Sequence, residues 1–179
     1  MKALLLMTMI ALTGNALATK FAPPKSHDVE STNGKFKLHV NAEDGGHEVT
    51  GDFRFLKLWK FHHDISNHSF FVSDDGEAAV VVHWAWCKAD ELDEPAVVIY
   101  GRDGARRIFT YRQLSTPRKP GEDEIGPIGD FWRLWRDDAT IKGNLLTIQV
   151  EGRKTQVIDL KTAACVEVDK QGNPAENGH

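Results

Sequence analysis

Residues 69–86 read SFFVSDDGEAAVVVHWAW, two apolar runs on either side of Asp75-Gly76. An Asp-Gly pair in that setting is the strongest short-range hairpin signal, because glycine accepts the positive φ that a tight turn demands. In the second run Val80, Val82, Trp84 and Trp86 fall on one side of an alternating strand. Ala79, Val81, His83 and Ala85 fall on the other. Both sides are apolar, which predicts a central strand covered on both faces.

The pattern continues outward in both directions. STNG (31–34) is a turn signal, and KFKLHV (35–40) alternates strictly, with Phe36, Leu38 and Val40 on one face. EDGG (43–46) turns the chain, and EVTGDFRFLKLW (48–59) resumes as a strand. Its alternation shifts between Phe55 and Leu56, the mark of a bulge or a change of partner. Downstream, AVVIYGRDGARRIFTY (96–111) is a further hairpin around Gly101 to Gly104. STPRKPGEDEIGPIG (115–129) has no period and reads as a surface loop. DFWRLWRDDATI, the turn KGN, the strand LLTIQV, the turn EGRK, the strand TQVIDL and the turn KTAA complete the series. Strands at this spacing predict an antiparallel all-β domain over 31–168. The only helix expected is a single turn near Arg112 to Ser115 or around Phe131 to Trp135.

The ends are of another kind. MKALLLMTMIALTGNALA (1–18) has a lysine, an apolar run and small residues at Ala16 and Ala18, the layout of a cleaved secretory signal. The run is short for a membrane span, which needs about 20 residues. Residues 19–30 read as a flexible lead-in and 169–179 as a flexible tail. The expected location is secreted or periplasmic, with no membrane association after cleavage. The chain has 22 Lys+Arg against 26 Asp+Glu, a formal net charge of −4, and so no global attraction to nucleic acid. The basic run Arg102, Arg106, Arg107, Arg112, Arg118 and Lys119 gives way at once to Glu122, Asp123 and Glu124. It reads as a solvated strand face followed by a charged loop. Cys87 and Cys165 are the only cysteines. In an oxidising compartment they are either bridged or two buried free thiols, and spacing does not decide between these.

VSDDGEAAVVV and VIYGRDGARRIFTY resemble the strand–turn–strand units of β-propeller blades, and VIDLKTAACVEV resembles a blade ending with an Asp-Leu-x-Thr turn. The whole order from Ser31 to Val168 is similar to that of a group of uncharacterised secreted bacterial β-proteins. The resemblance implies a fold neighbourhood and export, and it brings no functional residues with it. A propeller blade takes about 40–50 residues. The strands are too few for a closed ring of four, so blade-like sheets in an open stack, or a compact sandwich, are expected.

Chemistry is sparse. FHHDISNHSFF (61–71) holds His62, His63 and His68, and His83 lies on the neighbouring strand. A metal-binding trio would come from His62 or His63, His68 and His83, but adjacent His62 and His63 point to opposite faces of a strand. The simpler expectation is a polar connection with solvent-exposed histidines. Trp132 and Trp135 in FWRLWR are the aromatic candidates for a ligand surface, with core packing as the alternative. No GxSxG elbow, HExxH helix or phosphate-binding glycine loop is present. The function expected is a non-catalytic binding or scaffolding domain with a protein or glycan partner and no cofactor. A metal-dependent protein, such as a hydrolase on the histidines, and a carbohydrate-binding module are the alternatives.

Overall fold

The computed structural model describes residues 24–51, 56–65, 68–83, 86–88, 91–114, 131–133, 139–149 and 155–166, with the backbone alone for 86–88 and 131–133. Tight turns connect short strands into three antiparallel sheets of four strands. Strands β1 (His27–Glu30), β2 (Lys37–Val40), β3 (Gly46–Thr50) and β4 (Lys57–His62) follow one another across the first. The second sheet has the order β5 (Ser69–Val72), β6 (Ala78–Val82), β8 (Pro95–Gly101), β9 (Arg106–Thr110). Between its strands, β7 (Trp86–Lys88) leaves to pair with β10 (Phe131–Arg133) in a separate ribbon. The third sheet is β11 (Thr140–Lys142), β12 (Leu145–Ile148), β13 (Gln156–Asp159) and β14 (Ala164–Val166). One helical turn, α1 (Tyr111–Leu114), follows β9. Among the described residues no helix is long and apolar enough to cross a membrane.

The second sheet is the middle layer. Every residue of β6 is buried. Ala79 and Val81, with Phe70, Val72 and Val98, pack against Leu38, Val40 and Val49 of the first sheet. Val80 and Val82, with Val97 and Ile99, pack against Leu146, Ile148 and Ile158 of the third, and Tyr111 and Leu114 of α1 join that side. The doubly apolar alternation of residues 78–82 is thus a record of two interfaces. Burying each such side chain contributes about 1.5–3 kcal/mol. The outer face of the first sheet carries an ion-pair ladder instead, with Lys37 beside Asp28 and Glu30, and Lys57 and Lys60 beside Glu48.

The same turn recurs at corresponding places. In STNG, Ser31 Oγ donates to Asn33 Oδ1 and accepts from the Phe36 amide. In SDDG, Ser73 Oγ donates to Asp75 Oδ1 and accepts from the Ala78 amide. The glycine of each has a positive φ, 70° at Gly34 and 69° at Gly76. Asp74 then ties the three layers together. Its carboxylate accepts from the Asn33 amide of the first sheet at 2.9 Å and from the Gly143 amide of the third at 3.0 Å. Asp75 Oδ2 accepts from Asn144 Nδ2, and Gly76 O accepts from Trp59 Nε1 at 2.8 Å.

Three expectations are corrected. EVTGDFRFLKLW is a hairpin: Gly51 N donates to Leu56 O, β3 ends at Thr50, and β4 starts at Lys57. The register irregularity lies at Val49/Thr50, and residues 52–55 fall outside the described set. The span read as a lead-in, 19–30, includes β1, because His27–Glu30 finds a free edge on β2. Phe131–Arg133 is a strand where one helical turn was suggested, and a turn of helix does form at Tyr111–Leu114.

Candidate metal centre

β4 is the last strand of the first sheet and β5 the first of the second, so the chain between them must cross from one layer to the other. His63 and His68 lie on that crossing, and His83 follows β6 at the same end of the middle sheet. The fold therefore brings them together at the interface of two layers, opposite the end where Asp74 clamps the turns. One ring nitrogen from each of His63, His68 and His83 lies within 4.8 Å of the other two. The ligating nitrogens of imidazoles on one tetrahedral metal sit about 3.4 Å apart, given metal–nitrogen bonds of about 2.0–2.1 Å. Small side-chain rotations span that difference.

The expectation of exposed, solvated histidines is overturned here. His63 is only 9% exposed, and Nδ1 of His68 and Nε2 of His83 are buried from solvent. Nε2 of His83 has no hydrogen-bond partner among the described residues, a costly state for a buried polar atom. The rings of His68 and His83 stack, with centroids 4.1 Å apart at 24°, and His63 meets both edge-on at 5.3 and 5.2 Å. His62, the other candidate, is exposed and stands outside the group. Adjacent strand residues point to opposite sides, so only one of the pair can face inward.

The surroundings hold His63 in place. Its amide donates to Gly45 O at 3.0 Å, and its carbonyl accepts from His47 Nε2 at 2.9 Å. His47 is fully buried, and its Nδ1 accepts from the Asn41 amide, so both ring nitrogens are satisfied in one neutral tautomer. Gly45 has φ 70°, and a Cβ there would sit 2.7 Å from the His63 carbonyl oxygen. Only glycine allows that approach. Nδ1 of His63 lies 2.7 Å from Tyr100 Oη. When Nδ1–H donates to the phenol, Nε2 keeps the lone pair a metal requires, the usual role of a partner behind a ligating histidine. Tyr100 is in β8, on the face of the middle sheet that meets the first. Arg106 pairs with it across β8 and β9, with its guanidinium carbon 5.8 Å from the Tyr100 ring centroid.

Burial, reinforced by the other histidines and by Arg106, pushes both His63 and His83 down to about 4. Both are neutral at pH 7 and available as ligands. A set of three imidazoles without carboxylate suits zinc, copper, nickel or iron and does not suit calcium or magnesium, which take oxygen. It also leaves one tetrahedral position open.

His47, Tyr100 and Gly45 were not singled out in the sequence, and Arg106 was noted only as part of a basic run. Tyr100 alone had a readable signal, lying in step with Val98 on one face of β8. The backbone of Trp132 pairs with Cys87 in the β7–β10 ribbon, their side chains lie outside the described set, and so does Trp135 altogether. Cys165 is an exposed free thiol on β14.

No protein-family model matches the chain, and no curated protein does. Among solved structures it is similar to hydrazine synthase of Kuenenia stuttgartiensis, with 16% identity and a TM-score of 0.39 over 78% of this chain and 35% of that one. It is also similar to BamB from Moraxella catarrhalis, with 10% identity and a TM-score of 0.28 over 79% of this chain and 51% of that one. The chain thus spans about a third and about half of these proteins.

Proposed function

We propose that this chain is an exported β-protein that binds one transition-metal ion through His63, His68 and His83. The observation that carries the reading is the convergence of three imidazole nitrogens within 4.8 Å, in a partly buried cluster where the chain crosses between two sheets. The unpartnered Nε2 of His83 supports it, since a metal would satisfy that atom. The neutrality of His63 and His83 at pH 7 supports it as well. Export rests on the leader-like residues 1–18. Binding of a metal is the function proposed, and the open position is compatible with hydrolysis. The glycan reading rests on Trp132 and Trp135, whose side chains lie outside the described residues.

Tag-free protein loaded with zinc and freed of excess metal should retain one zinc per chain. Separate His63→Ala and His83→Ala variants should retain none, while His62→Ala should bind as the parent does. A parent protein that holds no zinc, or one whose zinc survives both inward-facing substitutions, contradicts the proposal.

A further inference from the structure

β9 ends the middle sheet, so one side of its backbone meets β8 and the other faces outward. Gly101 N donates to Ala105 O at 2.8 Å, which makes these two a hydrogen-bonded pair at the end of the hairpin. Such pairs alternate with non-bonded ones along antiparallel strands. Ile99–Arg107 and Val97–Phe109 are therefore the next bonded pairs, and Arg106 and Ile108 fall between them. The N–H and C=O of Arg106 and of Ile108 point away from β8. Among the described residues nothing takes these groups up. The following outward donor, Thr110 N–H, is satisfied by Gln113 Oε1 at 2.9 Å.

The side chains of this edge are as open as its backbone. Arg106, Arg107 and Ile108 are all exposed, and Ile108, at 42%, is one of two exposed large apolar side chains among the described residues. Arg106 and Ile108 share the face of Tyr100 and Val98, and Arg107 shares that of Ile99. The strand thus presents one guanidinium on each face. Among the described residues neither forms an ion pair, while Arg102 and Arg112 are held by Glu77 and Asp93. Lys37, Lys57 and Lys60 of the first sheet are likewise neutralised. Charges on an edge strand ordinarily keep other strands away. Two unneutralised arginines do so for a basic strand and attract an acidic one.

We infer that β9 binds an extended acidic peptide of a partner protein, which adds to the middle sheet as a further strand at Arg106–Ile108. The peptide backbone takes up the free N–H and C=O groups of Arg106 and Ile108. Two adjacent acidic residues, pointing to opposite faces, meet Arg106 and Arg107, and an apolar residue next to them covers Ile108. Nucleic acid and anionic lipid offer charge but no backbone groups in register with the edge. The inference does not depend on a metal at the histidines.

The probe is a fluorescein-labelled hexapeptide with two glutamates between two pairs of valines, titrated with the full chain and read by fluorescence anisotropy. Saturable binding is expected, weakened about tenfold by Arg106→Gln together with Arg107→Gln. A peptide with lysines in place of the glutamates should not bind. Ile108→Pro removes an outward N–H that β8 does not use, so it should weaken binding while the far-ultraviolet circular dichroism stays that of the parent. The glutamate peptide N-methylated throughout asks the same of the unaltered protein, and it should not bind. No binding by the parent, an affinity unchanged by the double substitution, or equal binding of the lysine or the N-methylated peptide overturns the inference. Displacement of the probe by an oligothymidylate as effectively as by unlabelled peptide shows a general anion site and overturns it too.

Discussion

His63 is held by five neighbours at once: Gly45 and His47 at its backbone, Tyr100 at Nδ1, and the rings of His68 and His83 in edge-on contact with its own. That degree of restraint on one imidazole has a measurable consequence in the metal-free protein. His63 and His83 titrate near 4 when folded and near 6.5 when unfolded, because burial disfavours the charged ring. Between those values the unfolded chain binds more protons than the folded one, so stability must rise with pH across that window. With chelator present, the melting temperature should therefore fall as pH is lowered from about 6.5 to about 4. His47 is shifted in the same direction by burial and adds to the effect. The carboxylates of Asp28 and Asp75 are held below their ordinary value of 3.8, so their contribution is lost only at lower pH. A melting temperature that is flat over the histidine window, or that rises on acidification, would contradict the burial assigned to these rings.

At the scale of the element, the SDDG turn does more than reverse the chain between β5 and β6. Asp74 bonds to a backbone amide on each side layer, and the carbonyl of Gly76 accepts from Trp59. Hydrogen bonds to a charged group are each worth about 1.5–3 kcal/mol, reduced here because the carboxylate is partly open to water. Asp74→Ala should thus lower the unfolding free energy by about 2–3 kcal/mol, read from urea denaturation. Gly76→Ala should destabilise as well, since φ is 69° and a Cβ would run into the Phe36 ring. An Asp74→Ala protein as stable as the parent would show that the layers do not depend on this clamp. The turn itself was legible in Ser73-Asp74-Asp75-Gly76, because Ser73 and Asp75 bond within the turn and Gly76 supplies its positive φ. Its partners Asn33, Gly143 and Trp59 were not, because the sequence does not say which turns meet. The histidines follow the same rule. Opposite orientation of His62 and His63 was readable from strand geometry, but burial of the inward one depends on a layer crossing that has no local signature.

For the whole molecule, the decisive feature is a middle sheet buried on both faces between two others. The alternation in residues 78–82 made that legible, and the strand count pointed away from a closed ring, to an open stack or a compact sandwich. The ion-pair ladder on the outside of the first sheet suits a face that stays in water, where such pairs add about 0–1 kcal/mol each. The stack has a consequence for function: its clamped end fixes the layers, and its other end holds the crossing where His63, His68 and His83 converge. The most direct test of that claim is anomalous diffraction at the zinc edge from crystals of the zinc-loaded protein. The account predicts one strong peak between the first and second sheets, about 2.1 Å from a nitrogen of each of the three histidines. Zinc found only on the exposed His27, His39 or His62, with none between the sheets, would contradict it.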